Sequence, residues 1–201
     1  MVDLNGACLI GKGSSRLCYV HPADERKCIK VVYTRKDSII PEELKYYRFH
    51  EKRRISWEMM ARNYGTVETS EGEGIVFSLP RDHDGEISRT LAHYLESGER
   101  TPPVDDLCRA LRDFLDYLRR ERIIVREIKA ENLVLQRTDS ESVRIILVDG
   151  VGNNEFLPIA NYSNLFARRT LSRKWRKFLE SLRTEYGSNT VASEVSRRLR
   201  S

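Results

Sequence analysis

Ile123 to Leu135 reads IIVREIKAENLVL, and shortly after it Arg144 to Gly150 reads RIILVDG. The first stretch is a turn that carries Glu127, Lys129 and Asn132 between apolar residues on either side. The second has the composition of a buried strand and delivers Asp149 into a glycine turn. Polar groups pinned between buried runs are held in place instead of drifting into solvent. A carboxylate, an amine, an amide and a second carboxylate gathered in this way have the chemistry to bind a metal–nucleotide and to set a base beside it.

Upstream, Ala7 to Ile10 and Leu17 to Val20 are short apolar runs separated by GKGSSR, whose glycines and serines suit a hairpin turn. Alone, Gly11-x-Gly13 is a strand-to-strand turn and nothing more. The next strand, KCIKVVY from Lys27 to Tyr33, puts Lys30 inside an apolar run, on the same face as Cys28. Pro41 to His50 predicts a helix, with Pro41 near its first turn, acids next, and Leu44, Tyr47 and Phe49 at apolar positions. Glu43 is the candidate partner for Lys30, with Glu42 second; both acids also favour the positive end of the helix dipole. Asn63 to Thr69 and Gly74 to Leu79 complete five expected strands.

PRDHDGE, Pro80 to Glu86, separates two composition regimes and reads as a hinge. The expected organisation is therefore a first lobe over 1–79, a hinge over 80–86, and a mostly helical second lobe over 87–201. In that second lobe, Ser88 to Glu96 predicts a short helix and Asp105 to Glu121 a longer one. The latter has Leu107, Leu111, Phe114, Leu115 and Leu118 at core spacing. Arg168 to Tyr186 predicts a further amphipathic helix, with Leu171, Trp175, Phe178, Leu179, Leu182 and Tyr186 buried and the six basic residues between Arg168 and Lys177 largely off that stripe. The last fifteen residues are polar and expected to fray.

Across 201 residues, 32% are charged and 40% apolar, the balance of a folded chain. No apolar run approaches the roughly 20 residues of a membrane span. The start, MVDLNGACLI, lacks the basic segment and apolar core of a secretory signal, so a cytoplasmic location is expected. Cys8, Cys18, Cys28 and Cys108 form no CxxC pair, which argues against structural zinc. The net charge of +5 is concentrated at one end: from Arg168 onward ten basic residues face three acidic ones, leaving the first 167 residues at −2. That basic helix is a candidate contact for anionic surfaces, against the plainer reading of a solvated face.

Taken in order, the glycine turn, strand lysine, helix glutamate, hinge, catalytic-type loop and strand ending in Asp resemble the protein kinase-like superfamily. GKGSSRLCYVHPADERKCIKVVY, ELKYY and YGTVET further resemble the PhoP regulatory network protein (YrbL-like) family, from the N-terminus to about Gly152. The fold implied is α+β: a minimal two-lobed kinase-like fold with a five-stranded antiparallel sheet and one helix in the first lobe. The implied cofactors are ATP and Mg²⁺. By this resemblance Lys30 holds the α- and β-phosphates, Glu43 orients Lys30, and Asn132 and Asp149 bind magnesium. Lys129 lies near the γ-phosphate, and Cys18 and Cys28 line the adenine pocket.

Several positions depart from the kinase pattern. Glu127 stands where kinases carry the catalytic Asp, Val125 replaces the His before it, and Arg16 replaces the third loop glycine. Asp149-Gly150-Val151-Gly152 replaces the DFG segment, and no APE motif or long activation segment is visible. The resemblance thus implies a phosphotransferase acting on a small-molecule or lipid-like acceptor, or a pseudokinase that binds nucleotide as a regulatory module.

Overall fold

The computed structural model describes residues 1–13, 15–33, 39–152 and 164–200, excepting the side chains of 39–43 and 164–167. The first half of the chain forms β1 (Leu9–Lys12), β2 (Arg16–His21), β3 (Asp24–Val32), α1 (Ile39–Lys52), β4 (Asn63–Thr69) and β5 (Gly72–Ser78). The strands make one antiparallel sheet, as the sequence predicts, and its strand order is β1-β2-β3-β5-β4. β1 starts two residues later than expected. Gly11 and Lys12 pair with Cys18 and Leu17 as part of the ladder, so the turn shrinks to the residues between Lys12 and Arg16.

β3 is buried on both faces from Cys28 to Val31, which explains its continuous apolar run. Ile29 and Val31 pack on the outer face with Tyr19, Val76 and the N-terminal Leu4. The N-terminus is stitched down there by Val2 N–H to Glu68 O at 2.7 Å and Leu4 N–H to Ser70 Oγ at 3.0 Å. Cys28 faces the other way, into the main core with Tyr47, Ile75 and Phe77. Lys30 shares that inner face, and its ammonium lies 5.0 Å from the Phe77 ring centroid.

The second half begins with β6 (Arg89–Thr90) and α2 (Leu91–Ser97), followed by α3 (Val104–Arg120). A single short helix was expected from Ser88. Its first residues are instead drawn into a strand by pairing with Val134 and Leu135, and Thr90 then caps the helix by accepting from His93 N–H at 3.2 Å. A 3-10 turn (Ala130–Asn132) leads into β7 (Leu133–Arg137), which pairs with β8 (Val143–Leu147). α3 packs its stripe of Leu107, Leu111, Phe114 and Leu118 into the core beneath this small sheet.

Several connections join the halves, among them these. Around the expected hinge, Asp82 accepts from Ser88 Oγ at 2.5 Å and from Arg137 N–H at 3.0 Å, while Gln136 donates to Arg81 O at 2.8 Å. The segment before β4 runs parallel to β8: Leu147 N–H donates to Met59 O at 2.9 Å, and Ala61 N–H to Leu147 O at 2.8 Å.

α4 (Asn164–Thr184) buries the predicted stripe of Leu171, Trp175, Phe178, Leu179 and Leu182. The expected fraying of the last fifteen residues is corrected by α5 (Thr190–Arg198). Asn189 caps it by accepting from Ala192 N–H at 3.1 Å, and its amide also donates to Leu95 O at 2.8 Å. Ala192 and Val195 are buried, Ser196 Oγ donates to Leu179 O at 2.5 Å, and Arg198 pairs with Asp105. A polar segment is ordered here by small buried side chains and specific hydrogen bonds.

Candidate functional site

β3 of the large sheet and the end of β8 in the small sheet bring Lys30 and Asp149 face to face. Lys30 Nζ lies 3.2 Å from Asp149 Oδ2 and donates to Val148 O at 2.7 Å. Burial raises the Asp149 pKa, but Lys30, then Arg16 and the Gly150 N–H, outweigh it and leave the carboxyl below its ordinary value. Asp149 Oδ1 accepts from Gly150 N–H at 2.6 Å.

Gly150 has φ +82°, and a Cβ there would stand 3.2 Å from Asn132 Nδ2 and 3.3 Å from Glu127 O. Only glycine lets the chain turn here with the Asn132 amide laid against it. Gly152 plays a related part: a Cβ on it would meet Arg126 Nε at 3.0 Å and the Tyr46 ring at 3.2 Å. The loop and the segment after β8 are laced together by Arg126 N–H to Gly150 O at 2.7 Å, Gly152 N–H to Ile124 O at 3.1 Å and Val148 N–H to Asn132 O at 3.0 Å. Val125, in the place of a kinase histidine, is fully buried and bridges Val151. Backbone pairing between two buried valines thus joins the two segments.

A cleft of about 440 Å³ lies between the sheets. Gly11, Gly13, Arg16 and Cys18 line one side of it and Cys28 and Lys30 its roof, while Asn132 and Asp149 lie opposite. Of the sequence-predicted residues these eight come together. Glu43 is placed on α1, and its side chain lies outside the described residues. Glu127 and Lys129 do not join the cleft. They line a separate cavity of about 460 Å³ between the loop and α4. There Glu127 Oε2 is 3.2 Å from Lys129 Nζ, and this hydrogen bond, with the charge behind it, raises the lysine pKa.

The glycine turn departs from a phosphate-cradling loop. Gly13 N–H is committed to Arg16 O at 2.8 Å, and Tyr33 Oη donates to Gly13 O at 2.8 Å. The cations the turn brings to the cleft are the side chains of Lys12 and Arg16.

Sequence reasoning missed Glu131, Ser88, Thr90 and His93, which also line the cleft. It also placed Lys174 off the buried stripe. Lys174 is in fact buried, donating to Val125 O and, at 2.8 Å, to Arg126 O. It fastens the catalytic-type loop to α4. The signal was its position, three residues after Leu171 and four before Phe178, on the same helical face.

A large antiparallel sheet set over a small hairpin sheet and helices, with a strand lysine facing an aspartate across the cleft, is the protein kinase-like architecture. A crystal structure of Rad53 1-466 in complex with AMP-PNP superposes with a TM-score of 0.56 at 14% sequence identity. That overlap covers 85% of this chain and 45% of the other, so the chain spans less than half of that protein's length. The chain belongs to the family of PhoP regulatory network protein YrbL, whose match covers residues 2–183. The YrbL proteins of Escherichia coli (strain K12) and Shigella flexneri are each 33% identical over 182 residues, spanning 89% of this chain and 87% of theirs. The family match runs past Gly152, where the sequence resemblance was expected to stop, and takes in nearly all of α4. Among the described residues, no helix is long and apolar enough to cross a membrane.

Proposed function

We propose that this kinase-like protein binds magnesium-ATP in the cleft between its sheets and transfers the terminal phosphoryl group to a small-molecule or lipid-like acceptor. The observation that carries this reading is the Lys30–Asp149 contact of 3.2 Å across a cavity of about 440 Å³. An ammonium from one sheet and a carboxylate from the other can bridge phosphate oxygens and a cation between them. Asp149 and the Asn132 side-chain carbonyl are hard oxygen donors. Magnesium suits such a sparse set, since it keeps several waters and takes its remaining ligands from phosphates. Bound there, the metal would neutralise charge on the phosphates. Arg16 would add a side-chain cation at the loop, and Cys18 and Cys28 would face the base. The bound AMP-PNP of the Rad53 structure supports a nucleotide as the ligand class.

Glu127 is the candidate base. Its carboxylate is one methylene longer than aspartate and opens toward the cavity beside α4, so an acceptor entering from that side would meet it. The Glu127–Lys129 pair at 3.2 Å favours a second reading, a pseudokinase in which the carboxylate is engaged and nucleotide binding regulates a partner.

ADP formation from magnesium-ATP with small-molecule and lipid hydroxyl acceptors present, with the protein's melting temperature followed on the same samples, separates the two. For a phosphotransferase, wild type forms ADP when an acceptor is present, and Glu127→Ala loses roughly 10²–10⁴-fold in turnover with nucleotide stabilisation unchanged. Stabilisation by nucleotide without any ADP formation in wild type selects the regulatory reading. Neither effect in wild type contradicts both.

A further inference from the structure

The cavity between the loop and α4 is strongly cationic. Among the described residues, Arg126 and Lys129 come from the loop and Arg173, Lys174 and Lys177 from α4, with two carboxylates, Glu127 and Glu185, beside them. At about 460 Å³ it is as roomy as the nucleotide cleft, and among the described residues it shares no lining residue with it. Concave cationic walls with low dielectric behind them focus the field and raise the local concentration of anions. The wall is also built rather than incidental. Lys174 is buried and fixed on the Val125 and Arg126 carbonyls, so loop and helix hold a defined spacing.

We propose that this cavity is the acceptor subsite and that it selects an acceptor already bearing a phosphomonoester group. That phosphate would be held by Arg173 and Lys177, leaving the acceptor hydroxyl to face Glu127. This rests on the phosphotransfer reading above and adds the substrate class to it. Arginine and lysine together suit phosphate, the one through paired N–H donors and the other as a mobile point charge. The shared chemistry is a terminal phosphate, whether on a soluble metabolite or on a lipid headgroup. In the transfer itself, the acceptor oxygen forms a bond to the γ-phosphorus of ATP as the bond to the bridging oxygen of ADP breaks. Glu127 takes the hydroxyl proton.

The test uses the full chain with inorganic phosphate and glycerol phosphate as soluble probes and phosphatidic acid vesicles as the lipid probe. Amide chemical-shift changes report where the soluble probes bind. They are expected at Glu127, Lys129, Arg173 and Lys177. Arg173→Glu combined with Lys177→Glu should weaken phosphate binding about tenfold or more, the usual scale for removing paired charges at a contact. The charge-matched control, Arg176→Glu with Arg183→Glu on the same helix but outside the cavity, should change it less than about twofold. Lys177→Glu alone, giving an intermediate loss with an unchanged melting temperature, guards against misfolding of the double variant.

Vesicle binding that glycerol phosphate cannot displace assigns a lipid acceptor, and displacement assigns a soluble one. Shifts confined to Lys30 and Asp149, equal weakening by the control, or no phosphate binding would overturn the inference. Magnesium-ATP affinity is measured on the same samples. Nucleotide binding without phosphate binding at the cavity sinks this inference alone, and phosphate binding without nucleotide binding sinks the kinase reading instead.

Discussion

At Asp149 burial and neighbouring cations pull in opposite directions, and the cations prevail. The same competition runs without compensation at His50. Its ring is 2% exposed, neither nitrogen has a hydrogen-bond partner among the described residues, and burial together with Arg53 lowers its pKa to about 4. The folded state therefore keeps this imidazole neutral, whereas an unfolded chain protonates it near pH 6.5. Below about pH 6.5 the unfolded state binds more protons, so stability declines as pH falls and the loss is complete only below the folded pKa. Integrated over that window, His50 accounts for at most about 3 kcal/mol of acid lability. Denaturant unfolding of His50→Leu across the same range should show a shallower decline than wild type. Parallel declines would mean that other groups carry the acid sensitivity.

At the level of elements, α4 both supplies core and holds the loop that carries Glu127 and Lys129. Lys174→Met removes the donor shared by the Val125 and Arg126 carbonyls. It is expected to cost about 1–3 kcal/mol in denaturant unfolding, the penalty of leaving buried acceptors unsatisfied. Unchanged stability would show that the loop holds its place without the helix. Elements differed in how openly the sequence declared them. β3 to β5 were legible because Lys27 to Tyr33 and Gly74 to Leu79 are dense in β-branched and apolar residues bounded by turns. The RIILVDG strand and its aspartate were legible for the same reason, as was the run of residues that assembles the cleft. α5 was not, because TVASEVSRRL buries only small side chains and depends on Asn189 reaching Leu95, a contact 94 positions away. The division of labour between Asn132 and Glu127, one facing the cleft and the other a second cavity, was equally hidden. Both sit on one short loop, tied to the segment after β8 as well as to α4, contacts that the local sequence does not declare.

Across the whole molecule, the cleft lies between two sheets from opposite halves of the chain, joined by hydrogen bonds around residues 80–88 and along β8. Lys30 and Asp149 are 119 positions apart, yet meet as an ion pair whose lysine is largely withdrawn from solvent. A ligand that contacts both would stabilise the joined state over the unfolded chain by mass action. With the Asp149 side chain 43% exposed, solvent screens this pair and it is a weak source of net stability. The proposed nucleotide site gives this pair a use in ligand binding. Titration calorimetry of magnesium-ATP into wild type, Lys30→Ala and Asp149→Asn decides the matter. Saturable binding to wild type is expected, with affinity reduced by about tenfold or more in each variant, the loss that goes with one charge-assisted contact. Equal affinity in all three proteins, or no heat of binding in wild type, would contradict the nucleotide site.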